Sequence, residues 1–170
     1  MGNIILIGMP ASGKTTIGRL LAQKLNMDFY DTDALIEREQ LITVSEIFEK
    51  YGEKHFRQLE HLVCQNLFKL DNAVIATGGG VFTNPQNLSC IDRPRGIIYL
   101  KASVGTILER TKNDKSRPLL QNSDKTCILN EIILKREPMY TNLANITVCT
   151  DDKTIDQTLE EVFMTIMLKI

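Results

Sequence analysis

The stretch NIILIGMPASGKTTIGRLLAQKL, residues Asn3 to Leu25, decides the fold. Asn3 to Ile7 form a short Ile-rich run, the pattern of a parallel strand buried on both faces. The run enters Gly8-Met9-Pro10-Ala11-Ser12-Gly13-Lys14-Thr15, which matches G-x-x-x-x-G-K-[ST] at every fixed position. Ile17, Leu20, Leu21 and Leu25 then recur at helical spacing. Strand, glycine-bounded loop and helix are the context in which that motif binds a nucleoside triphosphate. Backbone N–H groups of such a loop, with the helix N-terminus behind them, cradle phosphates. Pro10, Ala11, Ser12, Gly13, Lys14, Thr15 and Thr16 are therefore the expected nucleotide contacts. Lys14 would reach the β- and γ-phosphates, and the Thr15 hydroxyl would ligate Mg²⁺.

The 170 residues suit one domain with a sizeable core. The chain is 43% hydrophobic and 24% charged, ordinary for a soluble globular protein. Its formal net charge of −1 offers no basic field for nucleic acid or an anionic membrane. No apolar run approaches the roughly 18 residues of a membrane span, and the first strand begins almost at Met1 with no targeting segment before it. A cytoplasmic protein is expected, working as a monomer. Cys64, Cys90, Cys127 and Cys149 form no C-x-x-C pair and read as small buried hydrophobes or free thiols.

Four more strands are expected at Asp28–Asp31, Ala73–Thr77, Gly96–Leu100 and Ile146–Cys149. Helices fill the intervals. One runs from Ala34 to about Gln40. A longer one opens on the capping pair Thr43 and Glu46, with Ile47, Phe48 and Tyr51 on one face. It breaks near Gly52 and resumes through Phe56, Leu59, Leu62, Val63 and Leu67. Asn84-Pro85 and Ser103 suit further helix starts. A helix through Ile128, Ile132 and Ile133 is disturbed by Pro138. Thr154 and Gln157 cap a last helix striped by Leu159, Val162, Phe163, Ile166, Met167 and Ile170. The polar segment 112–125 reads as a mobile lid. This alternation predicts a three-layer α/β sandwich of the P-loop type, a five-stranded parallel sheet with helices on both faces. Ligands then bind outside the carboxyl ends of the strands.

Asp31 and Asp33 stand where the second strand ends. In an extended step both carboxylates would face one cavity, although Asp also suits a turn. A phosphoryl-transfer enzyme needs one carboxylate near Mg²⁺ and another for the acceptor hydroxyl's proton. Arg57 and Glu60 are spaced to pair on a helix, either as a surface ion pair or with Glu60 holding a guanidinium fork for a substrate carboxylate. Gly78-Gly79-Gly80 ends the third strand, and three missing side chains there would let backbone approach a ligand. Arg110, Arg117 and Arg136 are further cations in the half facing the nucleotide.

Taken together these residues resemble the shikimate kinases. The resemblance runs from the first strand to the last helix. It rests on GMPASGKTT, Asp31-Thr32-Asp33, GE-x-x-FR-x-x-E from Gly52 to Glu60, and Gly78–Gly80. It continues through RPLL from Arg117 and R-x-P-x-Y from Arg136 to Tyr140. It implies ATP and Mg²⁺ as co-substrates and phosphorylation of the 3-hydroxyl of shikimate, a step toward the aromatic amino acids. Asp33 would take the reacting hydroxyl, Arg57 and Arg136 would hold the carboxylate, and Gly78 to Gly80 would contact the ring hydroxyls. Lys14, Asp33 and Arg117 would act in catalysis, with Arg117 on the transferring phosphate. Arg110 would lie against adenine, and Asp31 in the magnesium shell with Thr15. Two positions depart from the family pattern. Ala11 stands where Gly is common, and Thr150-Asp151-Asp152-Lys153 lacks an arginine that some members place near adenine.

Two rival readings use the same P-loop. A nucleoside monophosphate or gluconate kinase would need a different acceptor pocket. A nucleotide switch usually carries N-K-x-D and D-x-x-G, and this chain has neither.

Overall fold

The computed structural model describes residues 2–91, 94–112 and 125–169. Strands β1 (Ile4–Ile7), β2 (Asp28–Asp31), β3 (Ala73–Ala76), β4 (Gly96–Lys101) and β5 (Ile146–Cys149) form one parallel sheet in the order β2-β3-β1-β4-β5. The helices are α1 (Lys14–Leu25), α2 (Thr32–Gln40), α3 (Val44–Leu67), α4 (Pro85–Ser89), α5 (Val104–Arg110), α6 (Lys125–Leu143) and α7 (Ile155–Lys169), with a 3₁₀ turn at Val81–Thr83. The expected α/β architecture is present. Residues 113–124 of the expected lid, Arg117 among them, lie outside the described residues. Among the described residues no helix is long and apolar enough to cross a membrane.

Alternation along the strands divides the core into two layers. Ile5, Ile7, Ala73, Ile75, Ile97 and Tyr99 pack on α2, α3, α5 and α6 through Ile36, Phe56, Ile107, Leu129 and Tyr140. Ile4, Leu6, Val74, Ile98 and Leu100, with Ile146 and Val148 of β5, meet Ile17, Leu21, Val162 and Ile166 of α1 and α7. Both faces of β1 are covered, which is why it needs four consecutive apolar residues instead of an alternating pattern.

Strand register places the motifs. Leu6 pairs with Ala76 and Ile98, and Ala76 pairs with Asp31. Two residues beyond that row come Gly8, Gly78 and Asp33, so three motifs leave the sheet level with one another. The chain passes from β1 toward β2 and β3 on one side, then crosses to β4 on the other. The crevice of such a doubly wound sheet opens at that switch, above β1.

Caps expected from the sequence are formed. Thr43 and Glu46 make a reciprocal capping box, and Thr154 and Gln157 bond each other's backbone N–H groups. Asn84 and Ser103 cap α4 and α5. Three expectations change. α2 starts at Thr32, earlier than Ala34, because Asp31 itself caps it. The apolar stripes are narrower than drawn, with Tyr51, Leu62 and Met167 exposed. Tyr51 is the last residue before the axis turns at Gly52, and its ring packs on His55 instead of the core. Finally, α6 continues past Pro138 to Leu143. The carbonyl that Pro138 leaves without a helical donor belongs to Leu134, which is 74% exposed and open to water.

Gly52 has φ 78° and ψ 170° inside α3, a conformation that is essentially glycine's alone. A Cβ there would meet no atom within 4 Å, so the constraint is conformational and not steric. Gly52→Ala is expected to lower stability by about 1–3 kcal/mol, seen as a lower urea midpoint at unchanged slope. A rise of about 1 kcal/mol, which alanine gives in a regular helix, would show that the kink is not fixed.

Candidate functional site: a phosphate loop facing an acceptor pocket

The loop from Gly8 turns off β1 and delivers the chain into α1 at Lys14. Gly13 stands at the N-cap with φ 97° and no side-chain cap, so the first-turn N–H groups remain available to an anion. Lys14 is buried, and its ammonium donates to the carbonyls of Gly8 (3.0 Å) and Met9 (2.8 Å), folding back over the loop it serves. Ala11 sits at φ 61°, so the loop accepts a Cβ in the left-handed region at this position.

Asp31 joins this loop to the second strand. Its Oδ2 accepts from the Thr15 hydroxyl at 2.6 Å, while Oδ1 accepts from the N–H groups of Asp33 (3.0 Å) and Ala34 (3.2 Å). Both aspartates line one cavity, as expected, but not through an extended step. Asp31 ends β2 and Asp33 lies in the first turn of α2. The turn chemistry and the site chemistry are done by the same carboxylate.

The three glycines have a second reason beside the expected one. A Cβ on Gly78 would stand 2.4 Å from Asp33 Oδ1 and 3.1 Å from Glu60 Oε1. One on Gly80 would stand 2.6 Å from both Nη atoms of Arg57, and one on Gly79 3.0 Å from Pro10 and 3.4 Å from Arg136. The missing side chains make room for the site's own charged groups. Thr32 holds the run in place, its buried hydroxyl accepting from the Gly78 N–H at 2.8 Å.

Arg57 donates through Nη1 to Glu60 Oε2 at 2.8 Å, and through Nη2 to Glu53 Oε1 at 3.1 Å. Glu60 is 1% exposed, and its Oε1 has no hydrogen-bond partner among the described residues. Burial pushes the Glu60 carboxyl up despite the pull of Arg57, with Asp33 adding to the rise. For Arg57 burial acts downward, but Glu60 and Glu53 outweigh it and hold the guanidinium above its ordinary range. Both groups shift up, which favours the charged form of Arg57 and the neutral form of Glu60: two carboxylates outweigh burial at Arg57, whereas burial, with Asp33 adding to it, outweighs the cations at Glu60. This is a buried, oriented pair and not a surface ion pair. From α6, Arg136 donates to the Gly79 carbonyl at 3.1 Å, as does the buried hydroxyl of Tyr140.

A cavity of about 580 Å³ lies along the phosphate loop and reaches Asp33, Thr77 and Gly79 at the edge of this cluster, while Arg57, Glu60 and Arg136 stand behind its lining. Pro10 to Thr16, Asp31, Asp33, Gly79 and Arg110 line it, as the sequence predicts. Arg110 is fastened there by bonds to Ala11 O (3.2 Å), Thr150 Oγ1 (3.1 Å) and Thr150 O (2.9 Å). The segment after β5 adds Thr150 and Lys153, which the sequence puts beside the nucleotide, and also Thr154, Ile155 and Thr158, which sequence reading did not single out as site residues. A signal was there: these residues follow β5 on the same sheet edge, where ligands bind. Ile155 is 53% exposed, an apolar side chain held open at the cavity. Among the described residues no disulfide is formed, and of the four cysteines only Cys64 is fully buried.

A family model described as shikimate kinase matches residues 10–167. A shikimate kinase of Caldicellulosiruptor saccharolyticus is 49% identical over 143 residues, covering 84% of this chain and 83% of that protein. One from Caldanaerobacter subterraneus is 43% identical over 162 residues, covering 95% and 94%. The structure of Acinetobacter baumannii shikimate kinase in complex with shikimate superposes with a TM-score of 0.93, at 36% identity and 99% and 94% coverage. A gluconokinase from Sinorhizobium meliloti, at 13% identity and a TM-score of 0.65, shares the fold alone. On a family model that matches most of its length, and on relatives 43–49% identical over 84–95% of it, the chain belongs to the shikimate kinase family.

Proposed function

We infer that the family's activity, ATP-dependent phosphorylation of shikimate at its 3-hydroxyl, is carried out in this cleft with the residue roles that follow. One observation carries the reading: Asp33 lines the cavity together with the phosphate loop, and its carboxylate stands over Gly78, the first of the three glycines over which Arg57 and Arg136 also lie. Shikimate has one carboxylate and three hydroxyls on a small ring, which calls for bidentate cations, a carboxylate and open backbone. Arg57, aimed by Glu60, and Arg136 take the carboxylate. Asp33 accepts the proton of the 3-hydroxyl as that oxygen bonds to the γ-phosphorus and ADP leaves. Lys14 turns from the loop carbonyls to the β- and γ-phosphates. Arg110 and Ile155 flank the adenine, which supplies the contacts that the segment after β5 lacks in arginine.

Thr15 and Asp31 offer a hydroxyl and a carboxylate oxygen 2.6 Å apart at the mouth of the loop, hard donors that fit Mg²⁺. Mg²⁺, when bound with ATP, neutralises phosphate charge. The need for ATP supports a cytoplasmic setting.

Acceptor choice tests the reading. With ATP and Mg²⁺, shikimate should be turned over well, and its carboxamide, gluconate and AMP poorly. Arg57→Ala should lose about 2 kcal/mol or more of acceptor binding with ATP binding much less affected. A coupled ADP assay across the panel decides, and a better rate with gluconate or AMP would overturn the acceptor assignment. Lys14→Ala should lose about a hundredfold or more in turnover with native circular dichroism.

Gly80→Ala separates the two explanations of the glycine run. If the glycine exists to admit Arg57, alanine displaces the guanidinium and raises the shikimate KM about as much as Arg57→Ala does. A KM left unchanged would show that Arg57 does not need that space.

A further inference from the structure

The acceptor roles leave one buried group unexplained. Tyr140 is 2% exposed, and its hydroxyl donates to the Gly79 carbonyl across 61 residues of sequence. Arg136, one turn earlier on the same face of α6, donates to that same oxygen at 3.1 Å. A carbonyl has two lone pairs, and here both donors come from α6. Tyr140's ring is fixed independently of its hydroxyl, packing on Tyr99 with centroids 5.1 Å apart. Burial raises the phenol to about 12, so it remains a donor throughout the working range of pH.

Arg136 is anchored on that oxygen through Nη1 alone, and a guanidinium has five N–H donors, so its other N–H groups are left to face a substrate carboxylate. Where the anchoring oxygen sits therefore decides where those donors point. We propose that Tyr140 is a positioning residue for the acceptor: its hydroxyl holds the Gly79 carbonyl in place, so that Arg136, anchored on the same oxygen, presents its remaining N–H groups to the substrate carboxylate. The same bond fixes the Gly79–Gly80 peptide plane. Because a trans peptide's C=O and N–H point opposite ways, it also sets the direction of the Gly80 N–H. Three successive glycines have wide conformational freedom, and this contact removes part of it.

The inference rests on Arg136 as a carboxylate ligand, and the experiment separates the two claims. Steady-state kinetics and shikimate titration calorimetry are run on Tyr140→Phe, Tyr99→Phe and Arg136→Ala. Tyr140→Phe keeps the ring and should raise the shikimate KM and Kd about tenfold, the worth of one such bond. Its ATP KM and its melting temperature should stay near those of the parent. Tyr99→Phe removes a neighbouring hydroxyl from the same aromatic pair and should leave the shikimate KM unchanged. An unchanged shikimate KM in Tyr140→Phe, with Arg136→Ala strongly impaired, overturns the role of Tyr140 while the carboxylate assignment stands. Equal rises in both KM values together with a lowered melting temperature also overturn it, since a merely structural hydroxyl would act that way. Normal shikimate binding by Arg136→Ala removes the premise itself.

Discussion

The pairing of β1 on both of its edges is the constraint from which the site follows. A strand hydrogen-bonded to β3 and β4, and covered on both faces, cannot slip by one residue without moving four apolar side chains to the wrong layers. Gly8 therefore emerges level with Gly78 and Asp33, and the phosphate loop, the glycine run and the acidic turn meet without further adjustment. Chemistry at this edge is positioned by the sheet's register more than by any bond within the site.

Charge is handled by exclusion of alternatives. The glycines remove competing bulk, so Arg57, Asp33, Glu60 and Arg136 crowd onto one stretch of backbone where side chains would otherwise keep them apart. Arg57 has carboxylate partners at both ends of its fork, which leaves the guanidinium few orientations. Such preorganisation lets a small polar acceptor meet donors already aligned.

Much of this was legible locally. The P-loop, the five strands, the caps at Thr43 and Thr154, and the Arg57–Glu60 spacing are all short-range patterns, and each is present. What escaped depends on contacts between distant residues. Nothing near Gly78 says that Asp33 and Glu60 occupy the space above it. No local pattern links Tyr140 to Gly79. Asp31 looked ambiguous between turn and site because it serves both, capping α2 with one oxygen and facing Thr15 with the other. Ile155 opens α7, and in sequence it is one more apolar residue of a helix start, with nothing local to set it apart from the stripe that packs inward. Arg117 lies outside the described residues, and its role stays where the family resemblance put it.

The buried Glu60 has a thermodynamic consequence. Its carboxyl binds a proton more readily in the folded chain than in the unfolded one. The sign is then fixed: below the ordinary carboxylate range the difference adds nothing against folding, and as pH rises through the raised value this contribution increasingly opposes it. The acceptor role proposed for Arg57 is thus maintained against the fold's own preference. Well-packed apolar residues of similar volume at 57 and 60 would make a sturdier helix and an idle enzyme, a trade between robustness and activity written into one ion pair.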